Sequence, residues 1–337
     1  MNRLVSSRRG MTLPELLVVV AIIGLLAVTV LPVLGGSKQR AQVRDAADAL
    51  VTHVSEVAAK AMGSSHGAST WYETESSGAG NDQAVVKLGF GRVRAAITAS
   101  GTLTAAGPGN ATLSPALLPA LATCLPAPIE FVGSPSLLLA TSLNTVTAIF
   151  PALNRTMANT AIPLSPNTTG IQYVLHVPPR PRLTASARNL PNNMAIDFAW
   201  SSIGVPGFTQ PTRIISAAGA ATGPRCIAVT YDRTGRPNRA WYALGHPDTG
   251  ASPPAWSFVT LDAATPIALL VGPRANVANA YVASPNEDNP GANWQNPDAR
   301  WVLIDPRTSI VRSIETYAKA ATRDASLKFV VDALKNQ

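Results

Sequence analysis

Glu15 is the residue whose surroundings most need a chemical explanation. It opens the run ELLVVVAIIGLLAVTVLPVLGGS, which carries no other charged residue up to position 37. A lone carboxylate in hydrocarbon is costly and normally has a partner of opposite charge. The position therefore predicts either an ion pair in an apolar setting or a carboxylate at the interface between membrane and water.

The apolar run has the length of a membrane-spanning helix. Residues 16 to 34, at ~1.5 Å per residue, nearly span the ~30 Å of bilayer hydrocarbon. Basic residues flank the run on both sides, so charge orients it only weakly. A cleaved secretory signal fits poorly, because VLPVLGGSKQ does not resemble an Ala-x-Ala cleavage site. A plain membrane anchor explains the run but leaves Glu15 without a role.

The segment resembles the class III signal and helix of type IV pilins and type II secretion pseudopilins. Its basic leader ends at Gly10, and Glu15 is the fifth residue of the chain that would begin at Met11. Gly24 and Pro32 fall at the family's usual helix-weakening positions. Two details differ, since Met replaces the commoner Phe after the cleavage site and a proline precedes Glu15. The first turn of a helix tolerates that proline.

This resemblance implies how the segment is processed and used. A prepilin peptidase would cut between Gly10 and Met11, and Met11 would then be N-methylated. Glu15 of an incoming subunit would pair with the amino group of its neighbour in a filament. The implied partners are the peptidase, other pilin or pseudopilin subunits, the inner-membrane assembly platform and, before assembly, membrane lipid.

The resemblance and the residue pattern divide the chain into four parts. We expect a leader peptide over 1–10, a transmembrane and filament-core helix over 11–36, and an amphipathic continuation of this helix over 37–63. A β-rich globular domain over 64–337 would follow, periplasmic or, after assembly, extracellular. The continuation carries an apolar stripe at three- and four-residue steps. Its members are Val43, Ala46, Leu50, Val54, Val57 and Ala61.

Alternating apolar residues predict antiparallel strands in the last third of the chain. RCIAVTYDRTGRPNRAWYAL and ARWVLIDPRTSIVRSIETY have strand–turn–strand patterns, with turns at 232–235 and 305–309. These segments loosely resemble the C-terminal β region of H-type minor pseudopilins. Short apolar runs within 95–179 predict brief strands or an irregular insertion, and Asp324 is expected to cap a short helix. We expect an α+β, pilin-like fold, with a long N-terminal helix on an antiparallel β-sheet.

Three catalytic or cofactor-binding patterns are absent from the sequence. It contains no HExxH, P-loop or CxxC pattern, and we expect neither an enzyme nor a cofactor. Glu287, Asp288 and Asp298 gather in SPNEDNPGANWQNPD, but their spacing lacks the alternating oxygen ligands of a calcium loop. A solvated turn is favoured there, and no metal is expected. Four tryptophans between 241 and 301 are expected to lie in the core.

Two cysteines, Cys124 and Cys226, leave two alternatives open. If the domain lies outside the cytoplasm, they can form a disulfide that closes a loop of about a hundred residues. Otherwise they are two unpaired buried thiols. The sequence does not decide between them.

Charge gives little support to a nucleic-acid partner. The formal net charge is +8, and three basic residues belong to the first ten. No run of five like charges marks a dedicated binding surface. The favoured function is a structural subunit of a type II secretion pseudopilus or a type IV pilus. The alternatives are an adhesive or DNA-uptake pilin and, with less support, a membrane-anchored enzyme.

Overall fold

The computed structural model describes residues 13–74, 84–105, 111–114, 127–131, 137–140, 142–143, 148–149, 168–181, 187–191, 193–203, 212–213, 226–244, 255–285 and 291–335. The chain divides into two compact units, of which the first ends at Gln42 and the second begins at Val43. The helices in the described residues are α1 (Leu13–Met62), α2 (Arg323–Lys335) and two short 3-10 helices, Arg274–Asn276 and Asn293–Gln295.

The strands are short apart from a few central ones. In chain order they are β1 (Ala68–Thr74), β2 (Ala84–Arg92), β3 (Ile97–Ala105), β4 (Ala111–Ser114), β5 (Ala127–Phe131), β6 (Leu137–Ala140), β7 (Ser142–Leu143), β8 (Ala148–Ile149), β9 (Thr168–Leu175), β10 (Arg180–Pro181), β11 (Arg188–Asn189), β12 (Met194–Asp197), β13 (Ser202–Ile203), β14 (Thr212–Arg213), β15 (Cys226–Tyr231), β16 (Pro237–Leu244), β17 (Ala255–Thr260), β18 (Ile267–Pro273), β19 (Arg300–Ile304) and β20 (Val311–Glu315).

Two antiparallel sheets contain these strands. The main sheet runs in the order β14-β13-β18-β12-β2-β1-β15-β16-β17, with β10 and β11 paired to β2 and with β19 and β20 continuing from β18. The second sheet runs in the order β6-β5-β9-β3-β4-β8-β7. Where the structure describes residues between 95 and 179, the short apolar runs form brief strands, which is one of the two expected forms.

The second part of α1 packs on the main sheet and confirms the predicted stripe. All six stripe residues, from Val43 to Ala61, are fully buried. They share one apolar cluster with sheet residues such as Tyr72, Leu88 and Ile227. Burying each large aliphatic side chain contributes about 1.5–3 kcal/mol. The α+β expectation is thus correct: an N-terminal helix packs against an antiparallel sheet.

β18 is covered on both faces, which explains its unbroken apolar sequence IALLVGP. Ile267, Leu269 and Val271 face the α1 cluster, whereas Ala268 and Leu270 belong to a second cluster. The second cluster is closed by α2 and contains four of its side chains, two of them partly buried, together with three tryptophans, of which Trp200 is partly buried. Its large members are Trp294, Trp301, Leu327, Val330 and Leu334. Of the four tryptophans expected in the core, Trp241, Trp294 and Trp301 are buried, and the side chain of Trp256 is outside the described set.

Two aspartate-led turns occur where the sequence predicts them. Asp232 Oδ1 accepts hydrogen bonds from the amides of Thr234 and Arg236, at 2.8 and 3.1 Å, between β15 and β16. Asp305 accepts from the amide of Arg307 at 2.9 Å in the turn before β20. The turns also contact each other, because Ser309 Oγ donates to the Gly235 carbonyl at 2.7 Å.

The predicted cap of the C-terminal helix is wrong by two residues. Thr322 Oγ1 accepts a hydrogen bond from the Ala325 amide at 3.2 Å, so Thr322 rather than Asp324 fills the capping position. Asp324 lies in the first turn of α2, where the positive end of the helix dipole favours an acid.

Candidate functional site

The predicted N-terminal site residues lie partly beyond the described structure. Gly10 and Met11 fall outside the described residues. Glu15 lies in the first turn of α1, where the helix dipole favours an acid. The side chains of Glu15, Gly24 and Pro32 are outside the described set, and the backbone of α1 is helical at all three positions. Helix weakening at Gly24 and Pro32 stays a prediction.

The first part of α1 presents large apolar side chains to the surroundings. Leu13, Leu17 and Ile23 are 76%, 64% and 60% exposed. A contiguous exposed apolar surface marks a site of protein or membrane interaction. This surface includes Leu16, Val18, Val20 and Ile22.

In the portion of the chain that the structure describes, no helix combines the length and the hydropathy needed to cross a membrane.

Asp197 forms a buried polar cross-link inside the globular unit. Its carboxylate accepts hydrogen bonds from Asn293 Nδ2 at 2.9 Å and from the amides of Ala199 and Ala278 at 3.1 and 3.2 Å. Burial raises the pKa of Asp197 to about 7, while these hydrogen bonds act in the opposite direction. The group ties β12 to two loop segments. It is a structural feature that the sequence reasoning missed, because only the acid at the end of the apolar stretch MAID signals it.

Gln295 binds Val282, which precedes the segment considered for calcium, and Ala292, which lies within it. Its Oε1 accepts from the amides of Val282 and Ala292, at 3.0 and 3.2 Å, and its Nε2 donates to the Val282 carbonyl at 2.6 Å. Glu287 and Asp288 lie outside the described residues. Among the described side chains, no group of three His, Cys, Asp or Glu residues could hold a metal ion.

The cysteine question stays open. Cys226 is fully buried at the first position of β15, beside Trp71 and Trp241 in a small apolar cluster. Cys124 lies outside the described residues, so both alternatives stay open.

One cleft of about 360 Å³ lies between α2 and two turns of the main sheet. Its lining includes Asp305, Arg307, Arg312 and Leu334, and none of the lining residues is histidine, cysteine or lysine. The carboxylate of Asp305 already serves its own turn, accepting from Thr308 Oγ1 at 2.8 Å.

Comparison with known proteins identifies the N-terminal segment. The prokaryotic N-terminal methylation motif matches residues 5–31, a range that contains Gly10, Met11, Glu15 and Gly24. The chain thus carries the class III prepilin signal of type IV pilins and pseudopilins. No curated protein and no solved structure matches the chain.

The motif shows that the N-terminal segment is prepilin-like. This is a prepilin-like protein with a cleavage and methylation signal, and the signal implies processing by prepilin peptidase. It also suggests that the N-terminal helix is anchored in a membrane before assembly. Proteins with this signal are generally structural subunits rather than enzymes. The H-type resemblance of the C-terminal strands has no support from the comparisons.

Proposed function

We propose that this chain is a structural subunit of a type II secretion pseudopilus or of a type IV pilus. The observation that carries the proposal is the methylation motif at residues 5–31, which runs directly into α1. The second part of the same helix forms the core of a β-rich domain. Helix α1 therefore carries the processing and assembly signal in its first part and packs in the core of a folded, exported domain with its second part.

Processing would prepare the N-terminus for assembly. Cleavage after Gly10 frees the amino group of Met11, and methylation of that amine leaves it able to carry a positive charge. Before cleavage, the same nitrogen is part of a neutral peptide bond. The charge that Glu15 needs as a partner therefore arises only in the mature subunit.

Glu15 would use that charge in the filament. Its carboxylate would pair with the Met11 amine of a neighbouring subunit in an apolar environment. Removing one partner of a buried ion pair costs about 3–5 kcal/mol, because the other charge stays desolvated. A pair of this kind sets the axial register between neighbours, while the exposed apolar side chains of α1 supply the contact area.

The substitution Glu15→Ala tests this role. The variant should be cleaved and methylated normally but should fail to enter filaments, measured by shearing or pulldown of assembled fibres from cells that also make the assembly platform. Asp45→Ala is the matched control, since Asp45 is an exposed acid on the same helix. Normal incorporation of the Glu15 variant would refute the pairing, even if the chain proves to be a prepilin.

A further inference from the structure

His176 lies at the junction between the two sheets. It follows β9 directly, and only 3% of its side chain is exposed. Its Nε2 is 2.9 Å from Oε2 of Glu130, which belongs to β5 of the second sheet. Its Nδ1 is 3.1 Å from Nη1 of Arg239, which belongs to β16 of the main sheet. One imidazole therefore bridges side chains from both sheets.

The chemistry of the two partners fixes the protonation of this ring. A guanidinium group can only donate, so Nδ1 of His176 must accept from Arg239. Nε2 must then carry the hydrogen and donate to the carboxylate of Glu130. The bridge therefore requires one neutral tautomer of His176. A proton added at Nδ1 would replace an acceptor by a donor and place two cations about 3 Å apart.

The surroundings of the ring oppose that proton. Desolvation by burial lowers the pKa of His176, and the charge of Arg239 lowers it further, whereas Glu130 acts to raise it. The ring of Phe258, from β17, lies 4.9 Å away and carries no charge. Cζ of the Arg239 guanidinium lies over the Phe258 ring, 4.7 Å from the ring centroid. Among the described residues, Glu130 and Arg239 are the charged groups that act on His176.

We propose that Glu130, His176 and Arg239 form a proton-sensitive latch, which holds the second sheet against the main sheet at neutral pH and releases it on acidification. The direction follows from linkage. The pKa in the folded chain lies below the ordinary 6.5, so the unfolded or unlatched chain binds the proton more tightly. The stability supplied by the bridge is complete above pH 6.5 and is lost as the pH falls through the lowered pKa.

Hydrogen exchange on the full-length protein in detergent tests the latch. Protection of peptides that cover β5 and β9 is compared with that of β18 between pH 8 and pH 5, after correction for intrinsic exchange rates. In the wild type, β5 and β9 should lose protection relative to β18 as the pH falls. In His176→Gln, the loss of protection of β5 and β9 relative to β18 should be smaller than in the wild type, because only the titration of groups other than His176 remains.

Two other groups with shifted pKa values are separated from His176 by comparing variants. Desolvation lowers the pKa of His53 to about 4, so this residue stays neutral throughout the range. Asp197 has a pKa of about 7 and lies on β12, which pairs with β18, so it adds a pH dependence to the comparison, but it adds the same one in every variant. The difference between wild type and His176→Gln therefore isolates His176.

Two charge-neutralising variants give an independent readout if His176→Gln fails to fold. Glu130→Gln removes the charge that raises the pKa of His176 and should move the midpoint of release to lower pH. Arg239→Gln keeps a donor but removes the opposing charge, and should move the midpoint to higher pH. Each displacement should be about one pH unit. Displacement of both midpoints in the same direction, or wild-type protection that does not depend on pH, would overturn the proposal.

Discussion

Leu50 tests whether the second part of α1 stabilises the globular domain while the first part does not. Its side chain is fully buried among the strands of the main sheet. Leu50→Ala removes three carbon groups worth ~0.8 kcal/mol each, about 2 kcal/mol of lost burial. The cavity adds to this cost, because paired strands cannot collapse into the space. We expect the globular domain to lose about 3–4 kcal/mol of unfolding free energy.

Leu17→Ala is the matched control, since it makes the same chemical change in the same helix at an exposed position. It should change the stability of the globular domain by less than about 0.5 kcal/mol. Guanidinium unfolding of the full chain in detergent measures both variants by fluorescence. All six tryptophans lie beyond position 70, so the signal reports the globular domain. A loss below 1 kcal/mol for Leu50→Ala, or equal losses for both variants, would refute the reasoning.

Two further predictions follow from single contacts, and a third measurement concerns the cysteines. Gly91→Ala should destabilise the domain by more than about 2 kcal/mol in the same assay, because its Cβ would meet the Trp71 indole nitrogen in a buried site; wild-type stability would contradict this. Burial raises the pKa of the Asp197 carboxyl from 3.8 to about 7, so stability that is present at low pH is lost as the pH rises. Between pH 4 and pH 9, the wild type should therefore lose about 4 kcal/mol of unfolding free energy relative to Asp197→Asn. Parallel pH profiles of the two proteins would refute this. Non-reducing peptide mass spectrometry of exported protein decides between the two cysteine alternatives: a linked peptide pair shows the Cys124–Cys226 bridge, and recovery of both as alkylated thiols excludes it.

Local patterns in the sequence predict the elements that depend on local physics. The stripe from Val43 to Ala61 has helical spacing, and it forms the buried face of α1. Asp232 and Asp305 lead turns, because a short acidic side chain can accept from amides two residues further on. The continuous apolar run of β18 predicts a strand but does not show that both its faces are covered.

Contacts between distant residues could not be predicted. Asp197 meets Asn293, and His176 meets Glu130 and Arg239, only because the strand order brings these segments together. A single polar residue at a strand end carries no sign of its partner. The predicted cap of α2 is wrong for a related reason. Thr322 and Asp324 are both residue types that cap helices well, and the path of the preceding loop selects Thr322.

The mature N-terminus is the most direct test of the central claim. The full-length chain is produced in a membrane together with a prepilin peptidase, and its N-terminal peptide is sequenced by mass spectrometry. The motif at residues 5–31 predicts a chain that begins at Met11 and carries a methyl group on its amine. A retained leader, or a cut after Gly36, would contradict the proposal that this chain is processed as a pilin-like subunit.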